Sequence, residues 1–317
     1  MNLKNLELRI SNQCSNRCAF CYLSTYDAKV GNTVEHIKRA IQILEENEIN
    51  QLTISGGDLF SYSEYSAAFD TAMTSLFTKI NEMLLSDKLS KLILEASLLP
   101  QEKYQSFDIS RAVSMIEDKS KVVVSTSYDA EGRFTKDSLE GWITAIKNLR
   151  NDFGSVEVRC NIIMTQALID KISSGELDLN RDIMSLGFSE IKFLVPTCAY
   201  SSSDLDSDFC RKEDFNEENG LDFFPKRSAF LSILPTLQSQ LGAQAIAKMF
   251  DRADYPDNIV YWIEDTECFY PFNSNREFEH FIATCERDDG YIDSNESMRQ
   301  DVINYCKGHD IECESGI

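Results

Sequence analysis

Six strand-like segments alternate with helix-like segments along the first two thirds of this chain, and that alternation limits the folds open to it. The strand-like segments are short and rich in aliphatic residues, and the helix-like segments repeat apolar residues every three or four positions. The predicted strands are residues 6–10, 51–55, 91–96, 121–127, 156–164 and 191–195, and the predicted helices include 33–47, 64–86, 109–118 and 137–150. Strands that alternate with helices form parallel sheets with helical crossovers, so the pattern predicts an α/β protein built as a partial (β/α)6 TIM-like barrel.

Three cysteines follow the first predicted strand: Cys14, Cys18 and Cys21. Three thiolates at this spacing can hold three irons of a cubic iron–sulfur cluster and leave the fourth iron open. The spacing would also suit one face of a helix, but the serines and asparagines around the cysteines favour a turn. Zinc would require a fourth ligand, and the nearest histidine is His36. A disulfide framework would require secretion, and residues 1–20 lack the apolar core of a signal peptide.

The cysteine loop has the pattern Cys-x3-Cys-x2-Cys, with Phe20 before the third cysteine and Tyr22 after it. This pattern resembles the cluster loop of the radical S-adenosylmethionine (SAM) enzymes. The resemblance implies that Cys14, Cys18 and Cys21 hold a 4Fe–4S cluster whose open iron binds the amino and carboxylate groups of SAM. It also implies that an electron from the cluster cleaves SAM to methionine and a 5′-deoxyadenosyl radical.

Two further segments resemble SAM-binding motifs of that family. Gly56, Gly57 and Asp58 follow the second predicted strand and resemble the Gly-Gly-Glu motif that binds the amino group of SAM, although an aspartate is one methylene shorter than a glutamate. Outside this resemblance, Gly-Gly-Asp is a common turn sequence. Residues 125–129 resemble the Ser-x-Asp pattern, in which Ser127 matches the serine that bonds the carboxylate or ribose of SAM.

Arg159 lies in the fifth predicted strand, where a guanidinium among apolar residues needs a carboxylate partner. The partner is either the carboxylate of SAM or an acidic residue such as Glu157 or Glu95. The resemblance also makes Asn161 a candidate for bonding the ribose, and it makes the backbone of Phe20 a candidate for bonding the adenine.

Cys198 follows the sixth predicted strand and is expected to face the mouth of the barrel. There it could act as a catalytic hydrogen-atom donor, bind substrate or ligate a second cluster, and the alternative is an inert buried cysteine. We predict three regions: a barrel domain over 1–198, an acidic connecting loop over 199–220, and an α+β extension over 221–317 that caps the barrel. The extension has four cysteines that could hold a second iron–sulfur cluster or stay reduced: Cys268, Cys285, Cys306 and Cys313.

Composition limits the partners and the compartment. The net charge is −21, from 52 acidic and 31 basic residues, and such a surface repels phosphate backbones, so no nucleic-acid partner is expected. No apolar run is long enough to span a membrane, so no membrane partner is expected either. Ten cysteines without a secretory signal favour a reducing, cytoplasmic setting.

These features together predict a radical SAM enzyme that abstracts hydrogen from a peptide or protein, with a reduced flavodoxin- or ferredoxin-type protein as electron donor. The peptide substrate rests on the resemblance of Cys21-Tyr22 and of the cysteine-bearing extension to the peptide-modifying branch of the family. A small metabolite or nucleotide is the alternative substrate. A non-catalytic iron–sulfur or zinc-structured binding module is the alternative from another class. The segment 56–58 together with Ser127 favours a radical SAM enzyme over the binding module, because a structural metal module has no use for a SAM pocket.

Overall fold

One mixed sheet of eight strands organises the chain in the computed structural model, which describes residues 2–11, 14, 16, 32–61, 66–99, 107–130, 134, 136–194, 225–242, 258–262, 268–271 and 295–311. The strands are β1 Asn2–Ser11, β2 Glu48–Gly56, β3 Lys91–Glu95, β4 Val122–Tyr128, β5 Glu157–Ile163, β6 Glu190–Leu194, β7 Asn258–Trp262 and β8 Cys268–Pro271. The described helices are α1 Thr33–Glu46, α2 Ala67–Leu85, α3 Ile109–Ser114, α4 Lys136–Asp152, α5 Gln166–Ser174, α6 Leu179–Asp182, α7 Arg227–Leu241 and α8 Asn295–Gly308.

The strand order of the sheet is β6-β5-β4-β3-β2-β1-β7-β8. The first six strands are parallel and neighbour one another in chain order, which is the arrangement of a barrel wall. Right-handed crossovers between such strands place the connecting helices on one face of the sheet. The predicted α/β architecture with six parallel strands is therefore confirmed. In the described part of the chain, the sheet is not closed by pairing between β6 and β8.

Burial alternates along β1, β3, β5 and β6 and separates the two faces of the sheet. In β1, Leu6, Leu8 and Ile10 are at most 1% exposed and belong to the main hydrophobic core, whereas Glu7 and Arg9 between them are partly exposed. The helices bury their apolar residues against the face that carries Leu6, Leu8 and Ile10. The face that carries Glu7 and Arg9 therefore lines the interior of the partial barrel. This interior face, which we call the lumen, carries polar side chains.

Helix boundaries differ from the sequence prediction where capping groups intervene. The predicted helix 64–86 begins at Ala67, because the Ser66 hydroxyl accepts a hydrogen bond from the Phe69 amide and caps the helix. The predicted helix 109–118 ends at Ser114, and a 3-10 turn over Lys119–Lys121 leads directly into β4. Helix α5, which the sequence prediction omits, is capped by Thr165 and ended by Gly175 in the left-handed conformation.

The described part of the C-terminal extension contributes both to the sheet and to the helical layer. Strand β7 pairs with β1 in parallel and β8 pairs with β7 in antiparallel fashion. Helix α7 packs on α5 and α6, and α8 packs on α7. Asp301 is only 3% exposed and forms an ion pair with Arg227, with 2.8 Å between Oδ2 and Nε. The three-region division stays a prediction, and the connecting loop 199–220 lies outside the described residues.

Across the part of the chain that the structure describes, no helix combines the length and the apolar character that crossing a membrane requires.

The ends of β1 and β2 approach closely at Gly56. The Gly57 amide donates a hydrogen bond to the Ser11 carbonyl, with 2.6 Å between nitrogen and oxygen. Gly56 has φ +131°, and a Cβ atom at this position would collide with the same Ser11 carbonyl. Only glycine satisfies both the conformation and the contact.

Replacing Gly56 with alanine should therefore lower the free energy of unfolding by about 3 kcal/mol, since it adds both backbone strain and a backbone collision. Gly175→Ala is the matched control, because its φ is +76° and nothing lies within 4 Å of the added Cβ. The control should cost only about 1 kcal/mol, from conformation alone. Urea unfolding followed by circular dichroism measures both values, and equal losses would contradict the close-approach argument.

Candidate active site

One layer of luminal side chains crosses the first six strands at the same height. The strand register places Arg9 beside Ser55, Glu95 beside Ser125, and Arg159 between Ser125 and Glu190. The register also pairs Ile54 on β2 with Leu94 on β3, so the residues that follow them, Ser55 and Glu95, lie next to each other. The layer is therefore continuous from β1 to β6. The interior of a closed TIM barrel is filled by branched apolar residues at such positions. A polar layer instead predicts a cavity that receives a ligand.

Two of the luminal glutamates differ in their partners. Glu7 accepts hydrogen bonds at 2.7 Å from both Arg9 Nε and Ser55 Oγ. Glu95 forms no ion pair with any residue that the structure describes. Desolvation by the surrounding strands and the charge of Glu7 raise the pKa of Glu95 to about 7, and Arg9 opposes the shift. The Glu95 side chain is nevertheless exposed toward the open lumen, and water there limits the shift.

Arg159 on β5 forms ion pairs with Glu157 of the same strand and with Glu190 of β6. Its Nε lies 2.9 Å from Glu190 Oε2, without the alignment of a hydrogen bond, and its NH2 lies 3.4 Å from Glu157 Oε2. The structure thus gives Arg159 acidic partners from the protein itself. One is Glu157, and the nearer one is Glu190 instead of Glu95. Ion pairs that remain partly exposed add little to stability, so a ligand carboxylate can compete for the guanidinium.

A second layer lies nearer to the carboxyl ends of the strands. Ser127 on β4 is the register partner of Asn161 on β5, which in turn is the partner of Lys192 on β6. Asn161 Nδ2 donates to Ser125 Oγ at 3.3 Å, which links this layer to the one below. The structure thus brings Ser127, Asn161 and Arg159 onto one luminal surface.

The cysteine loop contacts the ends of β2 and β3 through Asn16. This residue lies between Cys14 and Cys18 in the sequence, and its Nδ2 donates to Asp58 Oδ2 at 3.3 Å and to Ser97 Oγ at 2.9 Å. Cys14 is partly buried after the end of β1. The predicted cluster residue Cys14 and the predicted turn 56–58 therefore belong to the same end of the sheet.

The other predicted site residues on loops lie outside the described residues: Cys18, Phe20, Cys21 and Cys198. Within the described ranges, no three histidine, cysteine or acidic residues are grouped so that they could hold a metal ion. The local chemistry fits an iron–sulfur cluster nonetheless. Thiols are the donors that such clusters require, and Cys14, the loop thiol that the structure describes, follows the end of β1.

Sequence reasoning missed several residues of the site, among them Asn16, Ser97 and Glu190. Asn16 had a usable signal, because it lies inside the cysteine loop. Ser97 and Glu190 had none, since their contacts depend on strand register and on the turn after β3.

The fold and the site define a class: an α/β protein with a sequentially ordered parallel sheet and a polar lumen that opens at the carboxyl ends of its strands. No protein-family model matches the sequence, and no curated protein is similar to it. The solved structures that are similar in chain path include two of SuiB and one of anSMEcpe. SuiB from Streptococcus suis bound to S-adenosylmethionine is 13% identical, with a TM-score of 0.47 over 93% of this chain and 64% of SuiB.

A second similar structure, polyhistidine-tagged anSMEcpe with bound AdoMet, is 12% identical, with a TM-score of 0.49 over 98% of this chain and 82% of that one. SuiB bound to the precursor peptide SuiA is 13% identical, with a TM-score of 0.44 over 82% of this chain and 58% of SuiB. This chain thus spans less than two thirds of the length of SuiB. At these identities the similarity is one of chain path, and the function has to follow from the residues of the chain itself.

Replacing Glu95 with glutamine should flatten the pH dependence of stability between about pH 4.5 and pH 7. A carboxyl group whose pKa is raised on folding binds more protons when folded, so the wild-type protein loses stability as the pH rises through this range. The glutamine variant lacks the titrating group. Urea midpoints at several pH values measure the effect, with Glu46→Gln on the exposed end of α1 as control. Parallel curves for wild type and Glu95→Gln would refute the raised pKa.

Proposed function

We propose that this chain is a radical SAM enzyme that abstracts hydrogen from a peptide or protein substrate. The observation that carries the proposal is the position of the cysteine loop, which follows β1 and contacts the ends of β2 and β3 beside a polar lumen. Parallel barrels bind ligands at the carboxyl ends of their strands. A cluster held there would face the polar lumen, in which a substrate is proposed to lie.

Cys14, Cys18 and Cys21 are proposed to hold the 4Fe–4S cluster. When bound, the cluster would supply the electron that cleaves SAM to methionine and a 5′-deoxyadenosyl radical. The protein then has to orient SAM, hold the substrate and keep other hydrogen donors away from the reacting atoms. The cysteine loop, the strand ends and the luminal layers are the parts of this chain proposed to perform those tasks.

Several described residues are proposed to bind SAM. The turn over residues 56–58 would bond the amino group through its backbone, because the Asp58 carboxylate already accepts three hydrogen bonds from protein groups. Ser127 would bond the carboxylate or ribose, and Asn161 would bond the ribose. Arg159 would exchange one of its glutamate partners for the carboxylate of SAM. Phe20 is proposed to contact the adenine through its backbone.

The substrate channel is proposed to be the open side of the sheet. Strands β6 and β8 end the sheet in the described part of the chain and are not paired with each other. A polypeptide substrate would thread one residue into the lumen while the rest stays outside. Cys198 is proposed as the catalytic hydrogen donor at this mouth. A second cluster in the extension and a flavodoxin- or ferredoxin-type electron donor complete the proposal.

The polar lumen also separates the proposal from a non-catalytic metal-binding module. A module that uses its cluster only for structure has no need of charged residues such as Glu95 and Arg159 inside a barrel, where each loses hydration on folding. Such a lumen does suit a small metabolite as well as a peptide, so substrate size is decided by experiment.

The test is anaerobic production of 5′-deoxyadenosine. The protein is reconstituted with iron and sulfide and given SAM and a strong reductant, and we expect it to release this nucleoside. The Cys14→Ala/Cys18→Ala/Cys21→Ala variant should release at least about a hundredfold less, because it lacks the thiolates proposed as cluster ligands. Liquid chromatography quantifies the product. Cys160→Ala is the matched control, because Cys160 is buried in the core on β5.

Absence of the nucleoside from a cluster-loaded wild-type protein would refute the enzyme proposal. Production that survives the triple substitution would refute the cluster site. A mixed peptide library that neither changes mass nor raises nucleoside release would favour a small-molecule substrate.

A further inference from the structure

The Asp58 carboxylate lies at the centre of a set of hydrogen bonds that joins three segments of the chain. It is 4% exposed, and its Oδ1 accepts a hydrogen bond from the Phe60 amide at 3.2 Å. Its Oδ2 accepts from the Ser97 amide at 3.1 Å and from Asn16 Nδ2 at 3.3 Å. Asn16 Nδ2 also donates to Ser97 Oγ at 2.9 Å. We call the three residues Asn16, Asp58 and Ser97 the clasp.

We propose that Asp58 is a positioning residue, whose carboxylate sets the conformation of the cysteine loop through Asn16 before any cofactor binds. This inference rests on the proposed function for its purpose, but its geometry is that of the protein alone. It assigns to Asp58 a role different from direct contact with the amino group of SAM.

The chemistry of the clasp requires an acceptor at position 58. Three N–H groups converge on the two oxygens, and an ionised carboxylate only accepts hydrogen bonds. A buried carboxylate is costly unless such donors surround it. Hydrogen bonds to a charged group are stronger than neutral ones, so this group can hold the Asn16 side chain in one place.

The position of Asn16 makes the clasp relevant to the thiols. Asn16 is two residues from Cys14 and two from Cys18, so its backbone lies within about 7 Å of each along the chain. Fixing the Asn16 side chain therefore limits where both thiols can lie. A preorganised loop loses less conformational entropy when a cluster binds.

The clasp is anchored to the hydrophobic core on its other side. Thr126 Oγ1 donates to the Ser97 carbonyl at 3.1 Å, and Trp142 Nε1 donates to Thr126 Oγ1 at 3.1 Å. Trp142 is fully buried in α4. Directly after Ser97, Leu98 adopts φ +56°, an uncommon conformation for this residue type that orients the turn at the end of β3. The cysteine loop is thus connected to the core through a continuous set of hydrogen bonds.

Hydrogen–deuterium exchange on the metal-free protein tests the proposal without any SAM chemistry. We expect the amides of residues 12–22 to exchange about tenfold faster in Asn16→Ala and in Asp58→Ala, because each loses a hydrogen bond to a charged group. Asp58→Glu, which installs the residue of the family motif, should loosen the loop as well, since its longer side chain misplaces the carboxylate.

Asn81→Ala is the matched control for this experiment. Asn81 on α2 makes an equivalent amide contact with Glu117, far along the chain from the cysteine loop. It should leave exchange over residues 12–22 unchanged. Thermal unfolding checks each variant, and Asn16→Ala keeps the test valid if Asp58→Ala fails to fold, because Asn16 is only partly buried.

Iron retention and SAM affinity separate the two roles of Asp58. If it is a positioning residue, Asn16→Ala and Asp58→Ala should lose iron to a chelator about tenfold faster than wild type, and the double variant should lose it no faster than Asp58→Ala. If Asp58 instead binds the amino group of SAM, Asp58→Ala should lower SAM affinity while iron retention and loop exchange match wild type, and Asp58→Glu should keep that affinity. That second pattern would overturn the inference.

The two proposals can also fail separately. If the wild-type protein makes no 5′-deoxyadenosine but the variants still show faster exchange in the loop, the proposed function is refuted and the positioning role of Asp58 is supported.

Discussion

The hydrogen bond from the Gly57 amide to the Ser11 carbonyl is the contact on which the arrangement of the site depends. It brings the end of β2 against the end of β1, at the point where the cysteine loop begins. The contact is possible because Gly56 has no Cβ atom to strike that carbonyl. Asp58 follows within two residues, and its burial and its bonds to Ser97 and Asn16 depend on this approach. A local backbone constraint therefore determines which side chains can meet at the mouth of the barrel.

The two faces of the sheet have different physical roles. The outer face buries aliphatic residues against the helices, which supplies most of the stability. The lumen instead carries Glu7, Arg9 and Arg159, whose partly exposed ion pairs contribute little to folding, and it also carries Glu95, which has no ion pair among the described residues. Charged residues that add so little stability are expected where a ligand binds, and this contrast supports a function located in the lumen.

Much of the fold was predictable because hydrophobic periodicity reports the face of a strand or helix directly. All six parallel strands were predicted within a few residues of their observed bounds, and α2 differed only because Ser66 caps it. Strands β7 and β8 were not predicted, since β7 joins the sheet beside β1 across more than two hundred residues of intervening chain and local patterns carry no such information. In the site, the loop cysteines and the turn over residues 56–58 carry motifs from which they were predicted, whereas Ser97 and Glu190 carry no motif.

By itself, the sequence determined the alternation of strands and helices and the cysteine spacing. These features follow from local chemistry, namely side-chain periodicity and thiol donors, whereas the need for glycine at position 56 follows from the approach of β2 to the Ser11 carbonyl. Only the tertiary structure decided that Arg159 pairs with Glu190, that Glu95 stands without an ion-pair partner among the described residues, and that Asp58 is bonded to Asn16 and Ser97. Each of those outcomes depends on strand register and on turns that bring distant residues within hydrogen-bonding distance, and such distances are set by the packing of the whole sheet.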